Sequence, residues 1–313
     1  MFHKRLISKV LLSLSEQIKK TYTMKHLYLT LCSALAALLL VACEKPYVGL
    51  ESEPGGAPNV TYRITSFEQV AFDAPQSRAM TDITQLCSRI NLVVYDGETK
   101  VKSVAQKAAD KDFGTLALTL PEGTYTVAII AHSTSASATV TSLDKISFDH
   151  NVISDTFLFT EELTVGSEAL NHDVQMRRVA AMFRVNLTEA LPGSVAQLKF
   201  YYTGGSSTLS AITGYGSVNS KQTVVLDVGQ GQKTFEVYTF PHEETDVLKV
   251  TVTALDAAGT PLAECTLEDV PVTRNKVTVY NGDLFSEPPT ETSATSYRMQ
   301  AESDWDGVQE YTR

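Results

Sequence analysis

From Thr61 to Tyr280 apolar and polar residues alternate in short runs broken by turn-forming residues, a pattern that predicts strands and not helices. Arg89 to Tyr95 (RINLVVY) ends on Asp96-Gly97. Thr115 to Leu120 alternates strictly, meets Pro121-Glu122-Gly123, and is followed at once by TYTVAIIA (Thr124 to Ala131), which predicts a hairpin. Leu116, Leu118 and Leu120 would then face one core, beside Tyr125, Val127 and Ile129. Ser133 to Ser142 reads as a loop or an edge strand, and Phe157, Phe159 and Leu163 supply a further strand before Gly166. Later strands are expected from Ala180 onward and over Gln197–Tyr202, Thr223–Val228, Thr234–Phe240, Leu248–Leu255 and Lys276–Tyr280. The run LKVTVTAL puts Leu248, Val250, Val252 and Ala254 on one side and Lys249, Thr251 and Thr253 on the other. No segment after residue 60 carries a long 3.6-residue period, so two all-β sandwiches in tandem are expected, over 61–170 and 171–285. Residues 286–313 read as a linker, SEPPTETSAT, followed by a tail or terminal strand that holds Trp305.

The amino end has a different grammar. Leu27 to Ala42 is sixteen residues without a charge, preceded by Met24-Lys25-His26, the order of a secretory leader. A membrane-spanning helix needs about 20 apolar residues, which favours a cleaved leader over a permanent span. Leu40-Val41-Ala42-Cys43 has the form of a lipobox: cleavage between Ala42 and Cys43 would leave Cys43 as an acylated first residue. Two or three acyl chains anchor a protein firmly where one does so marginally. Residues 1–23 read as a start assigned too early or as a long n-region, so 1–42 forms the signal peptide. Residues 43–60, with three prolines and three glycines after Cys43, read as a flexible lipidated tether.

Charge then narrows the partners. Residues 1–42 hold six of the 26 basic and one of the 36 acidic side chains, leaving 20 against 35. An acidic surface of this kind repels phosphate backbones, so no nucleic acid is expected as a partner. Cys32 lies in the leader and Cys43 is the lipid site. That leaves Cys87 and Cys265, for which a disulfide and two separate buried thiols both remain open.

Candidate chemistry is sparse. His132, His150, His172 and His242 stand alone, with no ligand at metal spacing, so no metal or other cofactor is expected. Gly204-Gly205 and Gly214-Tyr215-Gly216 lack the partners of a phosphate loop or dinucleotide loop and read as turns. Glu161-Glu162 and Glu243-Glu244 are adjacent pairs that a strand would point to opposite faces, which suits solvation and not paired acid–base work. No enzyme is expected.

Four segments then occur in order behind the lipobox: SRAMTDITQLCSRINLVVYDG (Ser77 to Gly97), LPEGTYTVAIIAH (Leu120 to His132), VQMRRVAAMFRVNL (Val174 to Leu187) and VTRNKVTVYNGDLF (Val272 to Phe285). Together they resemble the fimbrial lipoproteins of the Bacteroidetes type V pilus system, in the branch of anchoring and tip subunits. The resemblance implies two transthyretin-like, Greek-key sandwiches and a lipid anchor in the outer membrane at the cell surface. It implies other fimbrial subunits as partners, joined by strand complementation, and a part in adhesion and biofilm formation through a host or bacterial surface ligand. Shaft subunits of the same system lose an N-terminal strand to an arginine-specific protease, and Arg78 in PQSRAM sits where such a cut would fall. A reading from another class is a surface glycan-binding lipoprotein, with Tyr201, Tyr202, Tyr215 and Trp305 as a stacking platform.

Overall fold

A computed structural model describes residues 57–68 and 82–285, together with the backbone of Ser296–Tyr297, Val308–Gln309 and Tyr311–Thr312. The expected signal peptide, together with Ala42, Cys43, Arg78 and Trp305, lies outside the described residues. Glu53–Arg313 forms one compact unit. Its chain is all-β, with α1 (Ile83–Leu86) and a 3-10 turn at Asp149–Asn151 as the described helical elements.

The first half contains β1 (Val60–Phe67), β2 (Arg89–Asp96), β3 (Thr99–Lys107), β4 (Thr115–Leu118), β5 (Gly123–His132), β6 (Thr139–Ser142), β7 (Lys145–Ser147), β8 (Thr156–Val165) and β9 (Leu170–Arg178). Seven of these follow the order β3-β2-β5-β8-β9-β1-β4. The β8–β9 ladder is only Phe157↔Arg178 and Leu158↔Arg177, and beyond it the two arms face each other as layers. Between them lies a core of Val60, Tyr62, Leu92, Leu116, Val127, Ile129, Phe157 and Met176 with their neighbours. The unbroken apolar runs of β2 and β5 follow from burial on both faces. Ile90, Leu92 and Val94 enter this core, whereas Val93, Tyr95, Ala128 and Ile130 enter a second one on the opposite face. Asp96-Gly97 makes the β2–β3 turn, with Gly97 at φ +56°, where a side chain would be strained.

The expected hairpin of Thr115–Leu120 with Thr124–Ala131 does not form. β4 pairs with β1, and β5 pairs with β2 and β8. Pro121-Glu122-Gly123 therefore carries the chain from one layer to the other. Both strands still bury the expected residues, because alternation specifies which face is buried and leaves the hydrogen-bonding neighbour open. β9 begins at the expected boundary of 170/171, yet its partners are β1 and β8 of the first half.

The second half contains β10 (Ala181–Asn186), β11 (Gln197–Thr203), β12 (Thr208–Leu209), β13 (Gln222–Asp227), β14 (Thr234–Thr239), β15 (Thr245–Leu255), β16 (Pro261–Thr273) and β17 (Val277–Asn281). Its layers are β13-β11-β15-β16 and β14-β10-β17, and the core between them includes Phe183, Phe200, Tyr202, Phe235, Val250 and Val252. Strand for strand this repeats the first half, where β3-β2-β5-β8 faces β4-β1-β9. Even the parallel pairing of first with last strand recurs, β1 with β9 and β10 with β17. Val308–Gln309 (β19, after β18 at Ser296–Tyr297) adds to the far edge of β17 in parallel, and β18 pairs with β20 (Tyr311–Thr312).

The halves share backbone and core. β12 of the second pairs with β7 of the first through Thr208↔Ser147 and Leu209↔Ile146. Leu209, Ala211 and Phe240 pack on Val93, Tyr95, Ile130, Val140 and Ile146, and the Phe240 ring lies 5.5 Å from Phe148. Arg178 is buried at this joint, with Nε and Nη2 each donating at 2.9 Å to Asp155 and Nη1 donating to Asn275 Oδ1 at 3.3 Å. Gly204 allows the loop to close: a Cβ there would meet the Val247 carbonyl oxygen at 2.1 Å.

Candidate functional site

The described strand nearest the amino end, β1, is a central strand and not an edge. Val60 and Tyr62 are fully buried and Ile64 nearly so. On one side β1 pairs in parallel with β9, and on the other antiparallel with β4, so that Tyr62 stands between His172 and Leu116. Both ends are fastened. Asn59 donates from Nδ2 to the Leu120 carbonyl at 2.8 Å and accepts from the Leu120 N–H at 2.9 Å. At the other end the Glu68 N–H donates to the Met176 carbonyl at 2.6 Å.

A polar cluster forms where β1, β8 and β9 converge. Tyr62 donates its hydroxyl to Glu161 Oε1 at 2.5 Å, and His172 Nδ1 lies 3.2 Å from the same oxygen. The two rings sit 5.1 Å apart. Burial, then the hydrogen bond to Glu161 and its charge, push the Tyr62 phenol far above its ordinary range, so it stays a donor. Glu161 is thus engaged, where its sequence pair suggested plain solvation. Glu244 likewise accepts from the Tyr215 hydroxyl at 2.9 Å and pairs with Arg274. These partnerships join residues far apart in sequence, and no local spacing signals them.

His150 is exposed beside Asp149, whereas His132 and His242 are structural in their contacts. His132 is fully buried between Asn91 and Thr134: its Nδ1 accepts from the Thr134 N–H at 3.2 Å, and its Nε2 lies 3.3 Å from Asn91 Oδ1. Burial first, then the charge of Arg89, lowers its pKa to about 4, which keeps the ring neutral. His242 Nδ1 lies 2.6 Å from Asp246 Oδ2, an arrangement familiar from hydrolases, but Nε2 faces the Val218 carbonyl at 3.2 Å and not a hydroxyl. Among the described residues no group of three or more His, Cys, Asp or Glu is placed to hold a metal ion.

No disulfide joins Cys87 to Cys265; the first is buried and the second half-buried. Burial, reinforced by Asp155, pushes the Cys87 thiol up to about 12. Of the expected stacking platform, Tyr202 is fully buried and donates to the Tyr238 carbonyl at 2.8 Å, so it cannot face a sugar. Tyr201 is exposed on the outer face of β11, and Tyr215 is tied to Glu244 and lies under Arg274.

Residues 57–308 match a family described as a family of unknown function, DUF6562. The chain belongs to that family. No curated protein matches it. Solved structures similar to this DUF6562 chain include the fimbrial anchor protein Mfa2 from Porphyromonas gingivalis (11% identity, 67% of this chain and 82% of that one, TM-score 0.35). They also include the tip fimbrial protein Mfa3 from the same organism (11% identity, 82% and 99%, TM-score 0.36). A candidate adhesin from Bacteroides ovatus is similar at 12% identity over 68% and 77%, with a TM-score of 0.44.

Proposed function

We propose that this chain is a lipid-anchored outer-membrane subunit of a cell-surface fimbrium. It either fastens the filament to the membrane and limits its length, or serves as a minor or tip component. The observation that carries this reading is the passage from Leu40-Val41-Ala42-Cys43, through a proline- and glycine-rich tether, into a strand held on both sides in the first core. A lipid on Cys43 would be linked through that tether to the middle of a sheet. The ordered motifs of the sequence support the same reading. So do the several outer strands that offer backbone groups to a neighbouring subunit. The function needs no reacting group, and the polar clusters around His132, Glu161 and His242 are satisfied by the fold itself.

The test is labelling with palmitate in wild type and Cys43→Ala, combined with microscopy of a deletion strain. Incorporation that disappears in Cys43→Ala, with filaments shed or overlong in the deletion strain, is the expected result. Label that enters both proteins equally, or filaments unchanged without the gene product, would overturn it. A second reading, a shaft subunit cut after Arg78, is favoured by one feature: among the described strands, β1 lies before Arg78 and the others after it. A cut there would leave β1 held by hydrogen bonds and packing alone. A mature surface protein beginning at Ala79 would select that reading over the anchor.

A further inference from the structure

Because the two halves repeat one topology, their outer strands can be compared position by position. β3 and β13 occupy the same place, next to β2 and β11 respectively. β3 is guarded against pairing with another chain: Lys102 stands opposite Val94 on the core-facing side, Lys100 Nζ donates to the Val140 carbonyl at 2.8 Å, and the ladder is bulged between Val94 and Tyr95. β16 carries two register shifts, Pro261, Pro271, Glu264, Glu268 and Asp269. β13, QTVVLD, has none of these devices. Its register with β11 runs unbroken from Tyr202↔Gln222 to Gln197↔Asp227, without proline and without charge before Asp227. Val225 is 47% exposed, and Val224 and Leu226 are only partly buried against the second core.

The hydrogen bonding fixes what this edge offers. Val228 N–H donates to the Ala196 carbonyl, and the Leu255 carbonyl on the opposite side of β11 accepts from Ala196 N–H. Alternation along the ladder then turns the backbone groups of Gln222, Val224 and Leu226 toward β11 and those of Thr223, Val225 and Asp227 outward. We propose that β13 is a homotypic docking edge, on which a second copy of this chain lays its own β13 antiparallel, about a two-fold axis through Val225. The axis brings Val225 opposite itself, Thr223 opposite Asp227 and Val224 opposite Leu226, so every outward N–H and C=O finds a partner. Each Thr223 hydroxyl meets an Asp227 carboxylate, while the two Asp227 residues stand roughly 14 Å apart, four residues at about 3.4 Å each. Val224 and Leu226 close each other's open core flank. Neighbouring axes pair fewer outward groups: one through Val224 sets Asp227 opposite a residue beyond the partner's β13, one through Leu226 does the same to Thr223, and one through Asp227 sets two carboxylates face to face. The result is an eight-stranded sheet with β13 at its centre. This inference rests on the fold and not on the fimbrial reading.

The experiment uses the full-length chain in mild detergent, examined by sedimentation equilibrium and by oxidation of single-cysteine additions. In the proposed register the Cα atoms of the two Val225 residues are about 5.5 Å apart, within disulfide range, whereas the two Thr223 residues are roughly 14 Å apart. Val225→Cys is expected to form a covalent dimer and Thr223→Cys to remain uncoupled. Wild type should dimerise reversibly with concentration, and Val225→Lys should weaken the dimer by about tenfold or more with its melting temperature unchanged. A wild type that stays monomeric, a Thr223→Cys that couples as readily as Val225→Cys, or a Val225→Lys that dimerises like wild type would each overturn the proposal. An unrelated protein captured at β13 in place of the second copy would overturn it as well.

Discussion

His132 makes the stability of this protein depend on pH in a defined window. Its ring is fully buried, and its pKa falls from the usual 6.5 to about 4. Between these values the unfolded chain binds a proton that the folded chain refuses, so stability is fully present above about pH 6.5 and is lost as the pH falls toward 4. At about 1.4 kcal/mol per pKa unit the loss is about 3 kcal/mol, a large share of the few kcal/mol by which a typical domain is stable. Carboxylates also titrate on the way down, so wild type alone cannot isolate the histidine. His132→Gln keeps a donor near Asn91 but cannot titrate. The expected result, from urea unfolding at intervals between pH 7.5 and 4, is a variant that is less stable at neutral pH. Its disadvantage should shrink by about 3 kcal/mol as the pH falls. Parallel curves, with a constant gap between the two proteins, would refute the argument, as would a His132 ring that titrates near pH 6.5 by NMR.

Two further outcomes follow from the buried groups. Arg178→Met leaves Asp155 without its bidentate partner at the joint between the halves and should cost about 3 kcal/mol in a thermal or denaturant melt, with part of that recovered when Asp155→Ala is added; a single-variant cost below about 1 kcal/mol would show the pair to be replaceable. In the folded protein Cys87, with its thiol pushed up to about 12, should resist alkylation at pH 8 while the half-buried Cys265 reacts, and mass spectrometry of modified peptides reads the difference. Equal labelling of the two would contradict the packing around α1.

Much of this fold is written in the alternation of residues. LKVTVTAL buries the four residues on its apolar side, as its pattern implies. Where strands were illegible, a physical cause can be named. β16 carries prolines and two bulges, which break the period of two. β3 reads as polar because lysines guard its edge. β4 and β5 look like a hairpin in sequence because a turn between two alternating strands reads the same whether the strands pair or pass to opposite layers. The polar clusters were invisible for a simpler reason: Tyr62, Glu161 and His172 are brought together only by the pairing of β1 with β9 beside β8. The tyrosine platform failed on parity, since Tyr201 and Tyr202 are neighbours on one strand and must face opposite ways.

The position of β1 has a mechanical side. A load applied through the proposed amino-terminal tether would run along the axis of β1, parallel to the ladders that join it to β4 and β9. Hydrogen bonds on both flanks would be sheared together and not peeled one at a time, while Val60, Tyr62 and Ile64 would have to slide out of the core in the same step. Such a strand yields only at high force, and it yields all at once.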